Sequence, residues 1–212
     1  MPDSLIAGRP KPLPEGYEVV LVSNDQAVHD SAERLEYQVF QASGYVEEND
    51  EQRVLEYDAW AEVSKFIAVV DADEQPVGVV RVLVSDYAAL PLAKLERTDL
   101  SMADPVCEYA SLAVDPTKRS TGVAEELYRA VWRYAEDRGA TALVALVDPW
   151  LHDLLRDYYG FSFIQLGPSK YYMGGDVRPI GMPVSEPYDL LPRSRPELWE
   201  WLLEGQPPQR SV

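Results

Sequence analysis

Apolar runs of two periods alternate along this chain, and their order predicts its elements. Tyr17 to Val22 reads as a short strand. Over Gln26 to Ser43, Ala32, Leu35, Val39 and Ala42 recur at helical spacing with Phe40 beside them, and Gly44 supplies a stop. Residues 45–64 are rich in Glu and Asp around Tyr57, Trp60 and Val63, which predicts a short helix or an ordered loop. Lys65 to Asp71 and Pro76 to Ser85 predict a β-hairpin turning at Ala72–Gln75. Its unbroken Val and Ile runs predict strands covered on both faces. Residues 86–104 carry little periodicity and read as a connection.

The densest pattern runs from Glu108 to Phe161. Glu108 to Val114 predicts a strand, with strand alternation placing Glu108 on one side with Ala110, Leu112 and Val114. A turn at Asp115–Lys118 leads into a helix ending at Gly139. Val123, Leu127, Val131 and Ala135 form its apolar stripe, Glu125, Glu126, Arg129, Arg133, Glu136 and Asp137 its wet side, and Thr121 its N-cap. Ala142 to Val147 predicts another strand. A short helix follows, capped by Asp148 and opened by Pro149. Phe161 to Leu166 and Tyr171 to Val177 predict a closing hairpin, and Pro196 to Leu203 a last short helix. Strands interleaved with helices imply an α+β fold, a mixed central sheet with helices on both faces. Residues 17–183 form the domain. Residues 1–16, with Pro2, Pro10, Pro12 and Pro14, read as a flexible N-terminal arm, and 184–212 as a C-terminal extension.

Composition narrows the function. A hydrophobic content of 46% over 212 residues supports one packed core. The net charge of −17 argues against nucleic acid and against an anionic membrane surface as partners. Cys107 is the only cysteine, which excludes an intramolecular disulfide and a Cys cluster; with only His29 and His152, no metal site is expected. The absence of a leader-like start or an 18-residue apolar span leads to an expected cytoplasmic location.

The stretch Arg119-Ser120-Thr121-Gly122-Val123-Ala124 has the makings of an anion site. A helix start leaves backbone N–H groups unpaired and carries partial positive charge, Gly122 permits close approach, and Lys118 and Arg119 add cations. A diphosphate suits such a place.

Arg119-x-x-Gly122-x-Ala124 between a strand and a helix, closed by Tyr158-Tyr159-Gly160-Phe161, resembles the acyl-CoA loop and final segment of the GCN5-related N-acetyltransferase (GNAT) superfamily. The resemblance covers roughly residues 65–178 and implies a three-layer sandwich. It implies that Leu112, Ala113 and Val114 hold pantetheine, and that Arg119, Ser120, Thr121, Gly122, Val123 and Ala124 hold the pyrophosphate. It implies an acyl transfer from acetyl-CoA or another acyl-CoA to a primary amine, by direct attack in a ternary complex, since no residue stands out as a covalent nucleophile.

Glu108 is the candidate general base, because a carboxylate on an apolar face has a raised pKa. The competing reading is a Glu at a strand end, solvated or paired with an Arg. The family's usual acid is a Tyr four residues before the Gly of Gly-Phe, but Arg156 stands there, so Tyr158 or Tyr159 takes the role or serves the core. His152 reads as an exposed helical histidine, Cys107 as a buried inert thiol facing away from Glu108, and Trp199 with Trp201 as packing anchors.

Arg34 with Phe40, Glu56-Tyr57-Asp58, Arg81, and Glu108 with Ser111 also resemble the autoinducer (acyl-homoserine-lactone) synthases and the long-chain N-acyl amino acid synthases. That likeness implies a longer acyl chain, carried by acyl carrier protein or CoA, with Arg34 and Asp58 shaping the acceptor side. The acidity of the chain would repel an acidic carrier protein, which counts modestly against that donor. A third reading is an acyl-CoA-binding module of this fold without turnover.

Overall fold

The computed structural model describes residues 9–98, 102–204 and 210–211. Residues 1–8 of the expected arm, 99–101 of the connection, and 205–209 and 212 of the C-terminal extension lie outside the described residues.

Nine strands and five α-helices are described: β1 (Glu18–Val22), α1 (Gln26–Ala42), β2 (Ser64–Val70), β3 (Pro76–Ser85), β4 (Val106–Val114), α2 (Val123–Asp137), β5 (Ala142–Val147), α3 (Pro149–Leu154), β6 (Ile164–Gln165), β7 (Lys170–Tyr172), β8 (Gly175–Pro183), α4 (Glu186–Ser194), α5 (Pro196–Leu203) and β9 (Arg210–Ser211). The sheet runs β6-β8-β5-β4-β3-β2-β1-β9, with β7 paired to β8 outside that path. Only β4–β5 and β1–β9 are parallel, so the sheet is mixed. The α+β arrangement with helices on both faces is the one expected.

The continuous apolar strands follow from that sandwiching. Phe66, Ala68, Val79 and Ala113 face α1, where they meet Val28, Ala32, Leu35 and Val39. Ile67, Val69, Val80 and Val82 face α2 and join the largest core, with Val123, Leu127, Val131 and Ala135. The helix approaches the sheet closely at Gly78, where a Cβ would lie 2.4 Å from Val123 Cγ1. Residues after the sheet complete this core: Leu191 from α4 and Leu198, Trp201 and Leu202 from α5 are buried in it. Trp199 packs partly buried beside them, so both tryptophans of the pair anchor packing.

Several local expectations change. Gly122, at φ 88°, occupies the N-cap of α2; the Thr121 hydroxyl donates instead to the Lys118 carbonyl, because the chain enters the helix one residue later through a left-handed turn. Asp148 stands at the N-cap of α3, but its carboxylate accepts from the Tyr45 hydroxyl and from the Trp150 side-chain Nε1 rather than from the backbone amides of the helix. The closing hairpin is β7–β8, turning at Met173–Gly174; β6 is a two-residue strand on β8. Leu155–Tyr159 continues α3 as a single π-helical turn ending at Gly160. Residues 55–60 form a 3₁₀ turn, and the connection after β3 is two more, Tyr87–Ala89 and Pro91–Lys94.

Candidate active site where two central strands part

β4 and β5 pair only at Val106–Ala142, Cys107–Leu143 and Glu108–Val144. Beyond that point β4 continues to pair with β3 as far as Val114, and β5 with β8 as far as Val147. The two strands therefore part at Glu108, and among the described residues the edge of β4 that faces β5 has no strand partner from Tyr109 onward. An extended ligand can pair with backbone groups only where a sheet leaves such an edge.

A bulge sits at the same place. Tyr109 pairs with Val82 and Ser111 with Arg81, which leaves Ala110 as an extra residue. The insertion reverses side-chain alternation. Glu108, Ala110, Ser111 and Ala113 lie on the α1 side, whereas Cys107, Tyr109, Leu112 and Val114 lie on the α2 side. The expectation that Glu108 shares a side with Leu112 and Val114 fails for this reason. Cys107 does face away from Glu108, is fully buried, and has a thiol pushed up by burial.

Glu108 is 1% exposed and accepts a 3.0 Å hydrogen bond from the Leu92 amide. Burial pushes its carboxyl up to about 8, and the Leu92 bond only partly opposes this. No arginine pairs with it among the described residues. Phenol groups stand nearby. Tyr57 donates 2.6 Å to the Ala110 carbonyl, and Tyr172 donates to Glu56, which also holds Lys94 at 2.6 Å. Burial alone would raise Glu56; the bonds from Lys94 and Tyr172 outweigh it and leave the group lowered.

A buried ion pair lies on the same side of the sheet. Arg81 Nε and Nη2 reach Glu36 Oε1 and Oε2 at 3.0 and 2.6 Å, and Arg81 Nη1 reaches Ser64 Oγ at 3.1 Å. The Ser111 hydroxyl donates to Glu36 Oε1. Both charges are desolvated, at 0% and 4% exposure, and the Arg81 guanidinium also lies 4.3 Å from the Phe66 ring centre. Glu36 was missed by sequence reasoning, although it sits four residues after Ala32 on the apolar stripe of α1. Arg34 is exposed on the outer face of that helix, and Asp58 pairs with Arg53, so neither enters this network. His29, Asp30 and Glu33 on α1 offer ligand atoms within 4.8 Å of one another, but Glu33 already lies 3.7 Å from Arg81.

On the opposite face, the predicted diphosphate loop begins at Arg119 in extended conformation and passes through Ser120 at φ 62° to Gly122. No side chain caps the start of α2. Arg119 is exposed, and Val123 is buried in the core. In the acidic first turn Glu126, expected on the wet side, is 4% exposed because Arg129 holds it in a bidentate pair, and Glu125 keeps its charge while accepting from the Tyr159 hydroxyl at 3.2 Å. The N-terminal segment crosses this loop. A Cβ on Gly122 would lie 2.4 Å from the Lys11 carbonyl oxygen, and Lys11 Nζ donates to the Ser120 carbonyl at 3.0 Å.

Between the parted strands and the C-terminal helices lies a cavity of ≈ 570 Å³, open mouth included. Tyr109, Tyr128, Tyr159, Phe161, Phe163 and Trp201 are among its walls. Tyr159 is thus a wall with its hydroxyl on Glu125, and burial holds its pKa well above the usual phenol value. The Tyr158 ring stands perpendicular to it at 4.9 Å. His152, expected at the surface, is 6% exposed; its Nε2 bonds the Phe163 carbonyl at 2.8 Å and ties α3 to the cavity wall.

A sequence model of the family described as N-acyl amino acid synthase FeeM matches residues 31–182. Three solved structures are similar over nearly their whole length. FeeM, an N-acyl amino acid synthase from uncultured soil microbes, matches with TM-score 0.65 and 17% identity over 89% of this chain and 98% of that one. BjaI, a CoA-dependent acyl-homoserine lactone synthase solved with SAM and isopentyl-CoA, gives 0.68 and 18% over 93% and 94%. The AHL synthase LasI gives 0.66 and 19% over 90% and 98%. At these identities the likeness establishes the fold. No curated protein sequence matches this chain.

Proposed function

Given that this chain belongs to the N-acyl amino acid synthase FeeM family, a GNAT-fold acyltransferase family, we propose that it joins an acyl group from a pantetheine thioester to the amino group of an amino acid. The observation that carries this reading is Glu108: a buried carboxyl, raised to about 8, at the point where β4 and β5 separate. The family match favours the synthase-like enzyme over the general acetyl-CoA-dependent reading, and the aromatic cavity across β4 from Glu108 offers an apolar place for an acyl chain.

In this reading the pantetheine arm lies along the free edge of β4 at Leu112, Ala113 and Val114. Its phosphate end reaches Arg119, Ser120, Thr121, Gly122, Val123 and Ala124 at the start of α2. The acyl chain turns into the aromatic cavity on the α2 side. The amino acid enters on the α1 side, above Tyr57 and Tyr172. Glu108 removes a proton from the incoming ammonium, and the free amine attacks the thioester carbonyl. Backbone N–H groups of the bulged strand hold the oxyanion. The thiolate leaves and takes up the proton that the attacking nitrogen loses, relayed by Tyr158 or Tyr159 as the candidate phenols.

The same strand edge accepts free CoA or a carrier-bound arm, so donor identity is an experimental matter. Purified protein is incubated with amino acids and a series of acyl-CoA and acyl-carrier thioesters, and products are read by mass spectrometry. An N-acyl amino acid together with stoichiometric thiol is the expected result. Thioester binding, seen as a thermal shift, without product from any amine would replace this reading with a non-catalytic binding module.

A further inference from the structure

Tyr109 is the cavity wall next to the reacting end, and its hydroxyl has no partner. The residue is 6% exposed, and its oxygen makes no hydrogen bond among the described residues. Tyr57, Tyr159 and Tyr172 are satisfied on Ala110, Glu125 and Glu56, whereas Tyr87, which feels the Glu108 charge, shares with Tyr109 a buried hydroxyl without a partner. The Tyr109 ring meets Tyr128 and Phe163 edge-on at 6.4 and 6.3 Å, contacts that a phenylalanine would make equally well. Packing therefore accounts for the ring and leaves the hydroxyl without a purpose. An unpaired buried hydroxyl lowers folding stability, and such groups in native proteins call for a partner.

Resting on the acyltransferase reading above, we propose that Tyr109 sets acyl-donor specificity by donating its O–H to an oxygen substituent, hydroxyl or keto, on the acyl chain seated in the aromatic cavity. Tyr109 directly follows Glu108 in β4 and projects to the opposite face, into the wall beside Leu143 and Phe163. The remaining walls are mostly apolar, and the charged groups among them are already engaged, Arg129 with Glu126 and Glu125 with Tyr159. A site built to bond one oxygen discriminates strongly against a chain that lacks it, because the Tyr109 hydroxyl then stays unsatisfied.

The test compares wild type with Tyr109→Phe. Donors are dodecanoyl pantetheine thioester and a positional series of its hydroxy and oxo derivatives, each scored by kcat/KM and by thermal shift. At one position the wild type is expected to prefer the oxygenated donor by about tenfold or more. In Tyr109→Phe that preference falls to near unity, and Tm holds or rises, since an unpaired hydroxyl has been removed. An unchanged ranking of every donor in Tyr109→Phe would overturn the assignment while leaving the acyltransferase reading intact. Donor binding that depends on Tyr109 without turnover overturns the acyltransferase reading alone. Absence of both binding and turnover overturns both.

Discussion

The Tyr57 hydroxyl donates a 2.6 Å hydrogen bond to the carbonyl of Ala110, the one residue of β4 that has no partner on β3. The bulge thus loses a ladder bond and regains one from a side chain of the 3₁₀ turn at Leu55–Trp60. Tyr57 is fully buried; burial first, and then Glu36 and Glu108, hold its phenol well above the usual value, so it stays a donor at any working pH. Tyr57→Phe leaves the Ala110 carbonyl buried and unpaired, at about 1–3 kcal/mol. It should lower Tm and reduce kcat by about tenfold with KM for the acyl donor little changed. Equal loss in kcat and in donor binding would mean that the bond serves the fold alone.

Glu108→Gln should trade stability against turnover. The folded carboxyl titrates near 8 against an ordinary 4.5, so its ionisation opposes folding. Below the unfolded value both states are protonated and there is no penalty. The penalty grows between about pH 4.5 and 8, where only the unfolded state has lost the proton, and is constant above. Gln keeps an acceptor for the Leu92 amide and carries no charge. Its Tm should exceed the wild type's at pH 8 and match it near pH 4, by roughly 2–4 °C per kcal/mol recovered. Turnover should fall by about 10²-fold or more, and the rise in rate through pH 8 should vanish. Retention of that limb in the variant would return Glu108 to a structural role.

Arg81 and Glu36 should behave as a buried pair. Arg81→Met strands the Glu36 carboxylate and should cost about 3–5 kcal/mol. Adding Glu36→Leu removes the stranded charge and should recover part of that loss. Urea melts of both variants check the order: a double variant less stable than Arg81→Met would contradict the pairing.

Gly122→Ala should weaken both the α2 entry and the donor site. A side chain there meets the Lys11 carbonyl and a φ of 88°, so more than about 1 kcal/mol of stability is lost. Arg119→Glu leaves the fold alone and sets a carboxylate against the phosphate end of the donor, which should lower CoA affinity by about tenfold or more. Calorimetric titration with CoA separates the two. Unchanged affinity in Arg119→Glu would remove the loop from the donor site.

Much of the architecture was legible locally. β3, β5 and α5 match the expected Pro76–Ser85, Ala142–Val147 and Pro196–Leu203, because Pro opens two of them and dense β-branched or helical spacing marks all three. α4 was not read, since Pro187 and Pro192 mask its period; the first sits in the opening turn and the second is tolerated near the end. The site was legible in part. Glu108 is conspicuous as a charge inside an apolar strand, and Arg81 breaks a Val run in the same way. Glu36 went unread because a Glu on a helix normally reaches water, and only the fold shows that this one does not.

The sequence by itself determined the alternation of strands and helices, the charge of Glu108 inside an apolar strand, and the Gly122 turn, because periodicity and turn chemistry act over a few residues. Tertiary structure alone decided which side of β4 each residue faces. One inserted residue, Ala110, reverses that assignment, and its position depends on how β4 registers against β3 rather than on anything local to β4. The same holds for the cavity. Tyr109, Phe163 and Trp201 come from β4, the segment before β6, and α5, and they share one wall only because β4 and β5 stop pairing at Glu108 and Val144.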